Sequence, residues 1–468
     1  MKNIKYLVLT LAIGMMLIGS SCKKTFYTDA NINHNAPSYV PPANLLPVVE
    51  IAIGYTQGGD LSRYTSMLTQ QTAGVSRQSA AYYTYIFTGQ DFDGLWGNLY
   101  TSCMENCSNY MQVADAAGYN GHGGIARILM AYTLQLTVDA WGNVPYSQAF
   151  KGVANLNPSY DQAQSIYSAI LQLADDGIAK MNMDTLNSPA LQPGAEDFIY
   201  GGNAAAWIQF GHAIKARVYI HQSKNNPAMA ASALTEANMA ISSSANNAQV
   251  LFSTAGTGNG PWFQFNGQRD DINFAFQAYP QQTTYGAFLT GSNDPRYGVL
   301  IDSAAELATG VGLAAYYGNA NSPVEFITYE EIQFIIAEAT LRTAGNTPAA
   351  QTAFTNAITA NMTKLGITFP ADSAYLAMHG SITGATVANA LDSVGYQEYV
   401  AYYLNPEAWT SWRRIGYPVL TPPAGSQGAS NGVPHRFIYP QTEYSYNGAA
   451  VNAQGTVTLW SPKVFWDN

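Results

Sequence analysis

Apolar residues recur at helical spacing over most of the chain from about Ala43 onward, and this period commits the body to a helical architecture. Asp93 to Gly118 places Leu95, Leu99, Met104, Tyr110, Met111 and Val113 roughly on one side. Ile125 to Val138 is nearly continuously apolar (Ile128, Leu129, Ala131, Tyr132, Leu134, Leu136) and belongs in a core. Tyr160 to Met181 repeats the style with Ile166, Ile170, Leu171, Leu173 and Ile178. Two more helices fit Ala204 to Gln222 and Pro227 to Ser243, and a further pair fits Phe326 to Arg342 and Pro348 to Leu365. The joint of that pair, Ala344-Gly345-Asn346-Thr347, puts Gly at a helix end, then Thr as N-cap and Pro348 at the first helical position. Helix pairs with short turns and small-residue contacts resemble tetratricopeptide units, although the repeats are too degenerate to establish by period alone.

Between the helix groups the sequence changes character. Gln249 to Ser322 is rich in Gly, Asn and aromatics with little helical period, and Met378 to Ala385 and Thr421 to Gln454 also read as loops. Long loops on a rigid scaffold are where binding surfaces usually sit. The expected fold is therefore mostly all-α: one intertwined domain over 43–468, a tetratricopeptide-like helix-pair scaffold carrying an irregular loop lobe at about 249–322.

The N-terminus carries a different signal. Lys2 and Lys5 precede an apolar run from Tyr6 to Ile18, then Gly19-Ser20-Ser21-Cys22. The run is too short to span a bilayer stably. A small-residue stretch ending at a single Cys is what lipoprotein signal peptidases cleave. Residues 1–21 are thus expected to be a lipoprotein signal peptide, Cys22 the acylated (palmitate-bearing) N-terminus, and 22–42 a polar, Asn- and Pro-rich tether. Gly19 stands where a large aliphatic residue is usual, so an ordinary secretory signal followed by an incidental Cys is the alternative. Two or three acyl chains anchor a protein firmly where one binds marginally.

The formal charge is −10, and falls to −12 once the two lysines of residues 1–21 are removed. An acidic chain with no basic block is a poor nucleic-acid binder, because such binding depends on neutralising phosphates. Charged residues are only 11 % of the chain, while Tyr alone contributes 32 residues. A surface low in charge and rich in Tyr, Asn, Gln and Ser suits neutral, hydroxyl-rich ligands. For any single Tyr, packing between helices with the hydroxyl at the rim is the competing role.

Motifs for catalysis or metal binding are weak in the sequence. H-E-x-x-H, a P-loop and C-x-x-C do not occur, and Gly428-Ala429-Ser430-Asn431-Gly432 matches G-x-S-x-G only in letters, since it falls in a stretch that reads as loop rather than between a strand and a helix. Cys103 and Cys107 share a helix face but are poorly spaced for a disulfide, lack a nearby His, and read as buried small hydrophobes. Of the six histidines, His212 and His221 fall on one helix without metal-ligand spacing. Gly256-Thr257-Gly258-Asn259-Gly260 looks superficially like a dinucleotide loop, but no strand is expected before it and no helix after it. Asp270-Asp271 and Glu330-Glu331 read as solvated or capping pairs rather than a glycosidase dyad. No cofactor is expected.

Several segments, in order along the chain, together resemble the motifs of one known family. Trp141-Gly142-Asn143-Val144-Pro145-Tyr146-Ser147-Gln148-Ala149 is similar to that family's W-G-D-V-P-Y-S-E-A stretch, with Asn143 and Gln148 replacing the usual acids. Pro158-Ser159-Tyr160-Asp161 with Ile166, Tyr167, Ile170 and Leu171 resembles the next family helix. Trp207, Phe210, Ala213, Lys215 and Arg217 resemble the one after it. Tyr329-Glu330-Glu331 with Phe334 and Ala337-Glu338-Ala339 looks like the E-x-x-F-x-x-A-E-A segment. Trp412 to Pro418, Arg436 with Tyr439-Pro440 and Glu443, and Lys463 to Asp467 complete the set. Together these segments resemble the SusD-like (RagB) outer-membrane lipoproteins, and the last points to the subgroup ending in Lys…Trp-Asp.

The resemblance implies a binding protein rather than an enzyme: a lipid-anchored lid on the extracellular mouth of a SusC-like TonB-dependent transporter, with oligo- or polysaccharide cargo, or peptides in some members. A surface glycosidase is the remaining alternative. Glu338, Arg413 and Arg414 are expected to be scaffold charges tying helices together. Trp141, Pro145 and Tyr146 are expected to fix a turn, so the ligand site should lie elsewhere. Two loops are candidates: Ser76-Arg77-Gln78 with Tyr82, Tyr83 and Tyr85, and Trp262-Phe263-Gln264-Phe265-Asn266 with Arg269 and Asp270. Tyr316-Tyr317 is a third. Trp262 is open to both ligand stacking and loop packing. For the others packing or barrel contact competes.

Overall fold

The Gly345 joint does what its chemistry dictates. Gly345 takes φ 79° at the end of one helix, and Thr347 Oγ1 accepts the Ala350 N–H at 3.4 Å to begin the next, with Pro348 in its first turn. The computed structural model describes residues 40–184, 191–265, 275–277, 283–302 and 312–467. The expected signal peptide, Cys22 and nearly all of the tether lie outside these residues.

From Pro42 the chain runs through α1 (Pro42–Thr56), α2 (Ser62–Leu68), β1 (Ala73–Ser76), α3 (Arg77–Tyr83), α4 (Gly89–Gly97), α5 (Glu105–Ala117), α6 (Asn120–Trp141) and α7 (Ala163–Asp184). Then come α8 (Ala204–Gln222), α9 (Ala228–Ala237), β2 (Ala248–Leu251), β3 (Ala275–Gln277), α10 (Thr284–Gly291) and β4 (Pro323–Ile327). The C-terminal part adds α11 (Tyr329–Ala344), α12 (Pro348–Lys364), α13 (Ala371–His379), α14 (Val387–Ala401) and α15 (Glu407–Ile415). Helices α6/α7, α8/α9, α11/α12 and α14/α15 pack as pairs, and α7 meets α8 while α9 meets α11. That succession is the tetratricopeptide-like scaffold.

Small residues set the spacing. A Cβ on Gly124 of α6 would stand 2.9 Å from the Gly177 carbonyl of α7, and one on Gly177 would stand 2.8 Å from Ile128 Cγ1. The helices therefore meet backbone to backbone, which any side chain would forbid. Among the described residues two apolar cores result. One gathers Leu46, Ile125, Ile166, Trp207 and Trp466, and the other Phe334, Phe354, Val394 and Tyr399.

Several boundaries differ from the sequence reading. Phe326 belongs to β4, so the helix expected from it begins only at Tyr329, and the helix expected to reach Ser243 ends at Ala237. A strand does precede the Gly256–Gly260 stretch, but β2 pairs antiparallel with β4, and only one helical turn, Pro261–Phe263, follows. Met378 lies in α13, and Gln441–Tyr446 and Gly448–Asn452 are short helices inside a segment read as loop. Helices α14 and α15 had no counterpart in the sequence reading.

Buried ion pairs tie the pairs together. Arg217 of α8 holds Glu331 of α11 in a fork, Nε to Oε1 at 2.6 Å and Nη2 to Oε2 at 2.7 Å. Glu330 is paired with Lys364 and is as buried as Glu331, so this acid pair is neither solvated nor a simple cap. Arg414 bridges Glu338 at 2.9 Å and Glu398 at 3.3 Å. Arg413 instead donates to the Asp139 and His435 carbonyls and lies over Trp409. Those charges are scaffold groups, as expected. His221 is fully buried against Glu407 and Tyr167, and burial pushes its imidazole down to about 3. Cys103 and Cys107 are buried free thiols, and burial pushes Cys103 up to about 12.

Candidate functional site

Strand β1 leads into α3 and pairs antiparallel with β3, Ala73 opposite Gln277 and Gly74 opposite Phe276. This pairing pulls the irregular lobe onto the segment that carries the first candidate loop. Tyr55 at the end of α1 fastens the lobe from the other side, its hydroxyl donating to the Asn259 carbonyl at 2.9 Å. Gln264 Nε2 donates to the same carbonyl at 2.7 Å.

A groove of about 670 Å³ opens between these attachments. Gly59 and Asp60 line it from a π-helical turn (Gln57–Leu61) joining α1 to α2, where Gly59 has ψ −120° and breaks the helical path. Asn98 lines it from a second π-helical segment, Asn98–Met104, that continues α4. Single π turns inside helices recur at functional sites because they turn side chains out of the regular face. Gln78 of α3, Gln90 of α4 and Phe265 of the lobe complete the surface.

The rim is held by its own hydrogen bonds. Thr88 caps α4 with Asp91, whose Oδ2 accepts from the Thr88 N–H at 2.7 Å and whose Oδ1 accepts the Tyr82 hydroxyl at 2.6 Å. Arg63, almost wholly buried, pairs with Asp60 at 2.7 Å and lies against the rings of Tyr64, Tyr82 and Phe265 at 4.9, 5.6 and 5.3 Å. In contrast, Gln78, Gln90 and Asn98 are exposed, and their amides have no hydrogen-bond partner among the described residues. The groove therefore offers three open amides, one carboxylate and an aromatic ring.

The sequence candidates are distributed unevenly around it. Gln78, Gln264 and Phe265 line the groove, so the two loops singled out from sequence meet at one place. Arg77 is exposed at the start of α3 with φ 51°, and Tyr83 is half-buried; neither lines the groove. Tyr82 and Tyr85 are 1 % and 0 % exposed, so they are corrected to core residues: Tyr82 stacks on Phe87 at 4.5 Å and Tyr85 donates to the Leu68 carbonyl. Trp262 is also buried, its indole N–H donating to Ser62 Oγ at 3.0 Å, and it packs edge-on against Phe265. Of its two open roles the structure gives it loop packing. Phe263 is half-buried, and Asn266, Arg269 and Asp270 lie outside the described residues. Tyr316 and Tyr317 donate to the two oxygens of Glu325, which also binds Lys364, so these rings belong to a buried cluster rather than a platform. Tyr55, Asp60, Arg63, Gln90 and Asn98 were not anticipated. The signal available was Gly58-Gly59 interrupting a helical run, with Asp60 and Arg63 three apart.

A second cleft, about 720 Å³, lies at the start of α7 among Asn143, Ser165, Arg436 and Lys463. Two of its polar groups are already engaged: Asn143 Oδ1 caps the Ala163 N–H and Arg436 binds the carbonyls of Trp141, Phe437 and Pro462. Among the described residues no group of three or more His, Cys, Asp or Glu is arranged to hold a metal ion. No helix among them is long and apolar enough to cross a membrane.

Residues 34–440 match a family model described as "Starch-binding associating with outer membrane". Among solved structures, the chain is similar to a SusD/RagB family protein of Bacteroides thetaiotaomicron, with 20 % identity, a TM-score of 0.77, and coverage of 92 % of this chain and 99 % of that one. It is similar to a chitin-binding protein at 22 % identity and TM-score 0.76, covering 91 % and 100 % of the two chains. It is also similar to a chitin-binding SusD homologue from Flavobacterium johnsoniae at 18 % identity and TM-score 0.75, covering 92 % and 97 %. No curated protein matches the chain.

Proposed function

The chain belongs to the SusD-like family of starch-binding proteins that associate with the outer membrane, and from that membership we propose that it is a cell-surface lipoprotein which captures glycans and passes them, as a lid, to a SusC-like TonB-dependent transporter. Residues 1–21 are its export signal, Cys22 its acylated N-terminus and 22–42 its tether. The ligand lies in the groove between α3, α4 and the irregular lobe. The observation that carries this reading is the convergence there of open amides (Gln78, Gln90, Asn98) with the Phe265 ring.

Hydroxyl-rich chains need that combination. Amides donate to and accept from sugar hydroxyls, while a ring covers the C–H face of a pyranose for about 1 kcal/mol. Catalysis is not part of the proposal. Of the two acids among the described residues at the groove, Asp91 has both oxygens committed to structural donors and Asp60 is paired with Arg63, which leaves no acid–base pair across a bond among those residues.

The test is affinity electrophoresis and calorimetry of the full chain against soluble starch, maltooligosaccharides and chitooligosaccharides. Phe265→Ala should weaken binding about fivefold, the equivalent of about 1 kcal/mol, without loss of fold by circular dichroism. Failure to bind any glycan, binding of peptides alone, or release of shortened products would overturn the reading.

A further inference from the structure

Charge at the groove sets which glycans it accepts. This inference rests on the groove being the ligand site, as proposed above. Three ionic side chains line the groove among the described residues: Asp60, Arg63 and Asp91. They are not equally available. The Arg63 side chain is only 5 % exposed, clamped by Asp60 on one side and by three rings around its guanidinium. Asp91 is occupied by Thr88 and Tyr82. Asp60 keeps 34 % of its side chain exposed. Among the described residues lining the groove, a ligand therefore meets one accessible carboxylate, while the one cation, Arg63, is covered.

We infer that Asp60 is a specificity determinant, and that the groove accepts neutral and amine-bearing glycans while rejecting uronate-bearing or sulfated ones. A ligand carboxylate a few ångströms from Asp60 is repelled, and the buried guanidinium cannot turn to meet it without giving up its ring contacts. An uncharged sugar hydroxyl donates to the same carboxylate at no such cost. Two like charges about 4 Å apart in water repel by about 1 kcal/mol, which is a factor of about five per contact and more in a partly desolvated groove. Screening shortens the reach of the effect from about 30 Å at 0.01 M salt to about 3 Å at 1 M.

The experiment measures affinity of the full chain for a chitooligosaccharide and for an oligogalacturonate of equal length, across a salt series, in wild type and in Asp60→Asn. The neutral chain should bind at every salt concentration. The uronate should bind at least fivefold more weakly at low salt and gain as salt rises. Asp60→Asn should narrow the gap by about fivefold, since it removes the carboxylate and leaves the shape of the side chain. The salt series on the unaltered protein decides the matter even where the variant fails to fold. Equal or tighter binding of the uronate at low salt, or a gap that salt does not move, overturns the inference while leaving the groove as the site. Absence of binding to either chain, with starch and maltooligosaccharides equally unbound, overturns the proposed function instead.

Discussion

Replacing Glu50 by Gln should stabilise the protein, and by an amount that depends on pH. Glu50 of α1 is fully buried, and one of its oxygens accepts the Phe198 N–H at 2.8 Å. Burial, reinforced by the neighbouring Asp197 and Glu196, raises its carboxyl from 4.5 to about 10. At pH 7 the side chain is thus a neutral acid whose hydroxyl is donated to Asp197. In the unfolded chain the same group ionises near its ordinary value. A raised folded-state value means that the side chain's contribution is whole below pH 4.5 and declines as pH climbs toward 10, by about 1.4 kcal/mol per unit. By pH 7 about 3 kcal/mol has been lost. Glutamine keeps the shape, donates its amide to Asp197 and accepts from Phe198, yet never ionises. The variant should therefore match the wild type near pH 4.5 and exceed it by about 3 kcal/mol at pH 7. With an unfolding entropy of about 2 cal/mol/K per residue, that gain raises the midpoint by about 3 °C for a body of this size. Paired thermal melts at pH 5, 6, 7, 8 and 9 read the effect as a gap that widens with pH. A gap that stays constant, or a variant less stable at pH 7, refutes the account of Glu50 as a buried neutral acid.

Other perturbations test the scaffold. Gly177→Ala should destabilise by about 1–3 kcal/mol in chemical denaturation, because its new methyl meets Ile128 Cγ1 at 2.8 Å and the Gly124 carbonyl at 3.0 Å. Glu331→Ala leaves the Arg217 guanidinium buried without its fork and should cost about 3–5 kcal/mol by the same assay. Cys103 and Cys107 should resist a thiol reagent at pH 8 in the native protein and react at once in denaturant, since burial raises both thiols.

The sequence carried the helical scaffold well where apolar spacing and end signals agreed. Helix α8 is bounded at Ala204 and Gln222 as read, and α12 starts at the Thr347-Pro348 cap. Its failures have physical causes. In α15 the buried face includes Glu407, Arg413 and Arg414, polar residues that a hydrophobic period counts as surface. They are inside only because partners arrive from distant helices, Glu338 and His221 among them. Helix α14 dilutes its apolar stripe with Gly395, Gln397 and Glu398, all buried. The aromatic candidates failed for the converse reason. Consecutive tyrosines suggest exposure, yet Tyr82 and Tyr85 are buried because the chain bends sharply after α3, with Tyr85 at φ 61°. Both chosen loops reach one groove, through Gln78 and through Gln264 and Phe265. What sequence could not supply was the β1–β3 pairing that joins residues near 75 to residues near 276.

On the proposed function, a groove built this way would bind each sugar weakly, and its affinity would have to come from length. Three amides and one ring at about 1 kcal/mol each give about 4 kcal/mol before any ordering cost, equivalent to a dissociation constant near 1 mM. Ordering an exposed Gln costs about 0.5–1.5 kcal/mol, so Gln78 and Gln90 return less than a rigid donor would. Asn98, shorter and set in a π-helical segment, gives up less freedom on binding. A chain long enough to fill about 670 Å³ engages these groups together, and each further contact then forms at high local concentration. Under that proposal such a surface would retain polymers and let short sugars go, which is the behaviour a capture protein needs if its cargo is to leave again. The frame beneath must then stay fixed, because contacts this weak cannot also drive a rearrangement. The buried ion pairs linking α8, α11, α12, α14 and α15 meet that requirement, at a desolvation cost that an apolar core would have avoided.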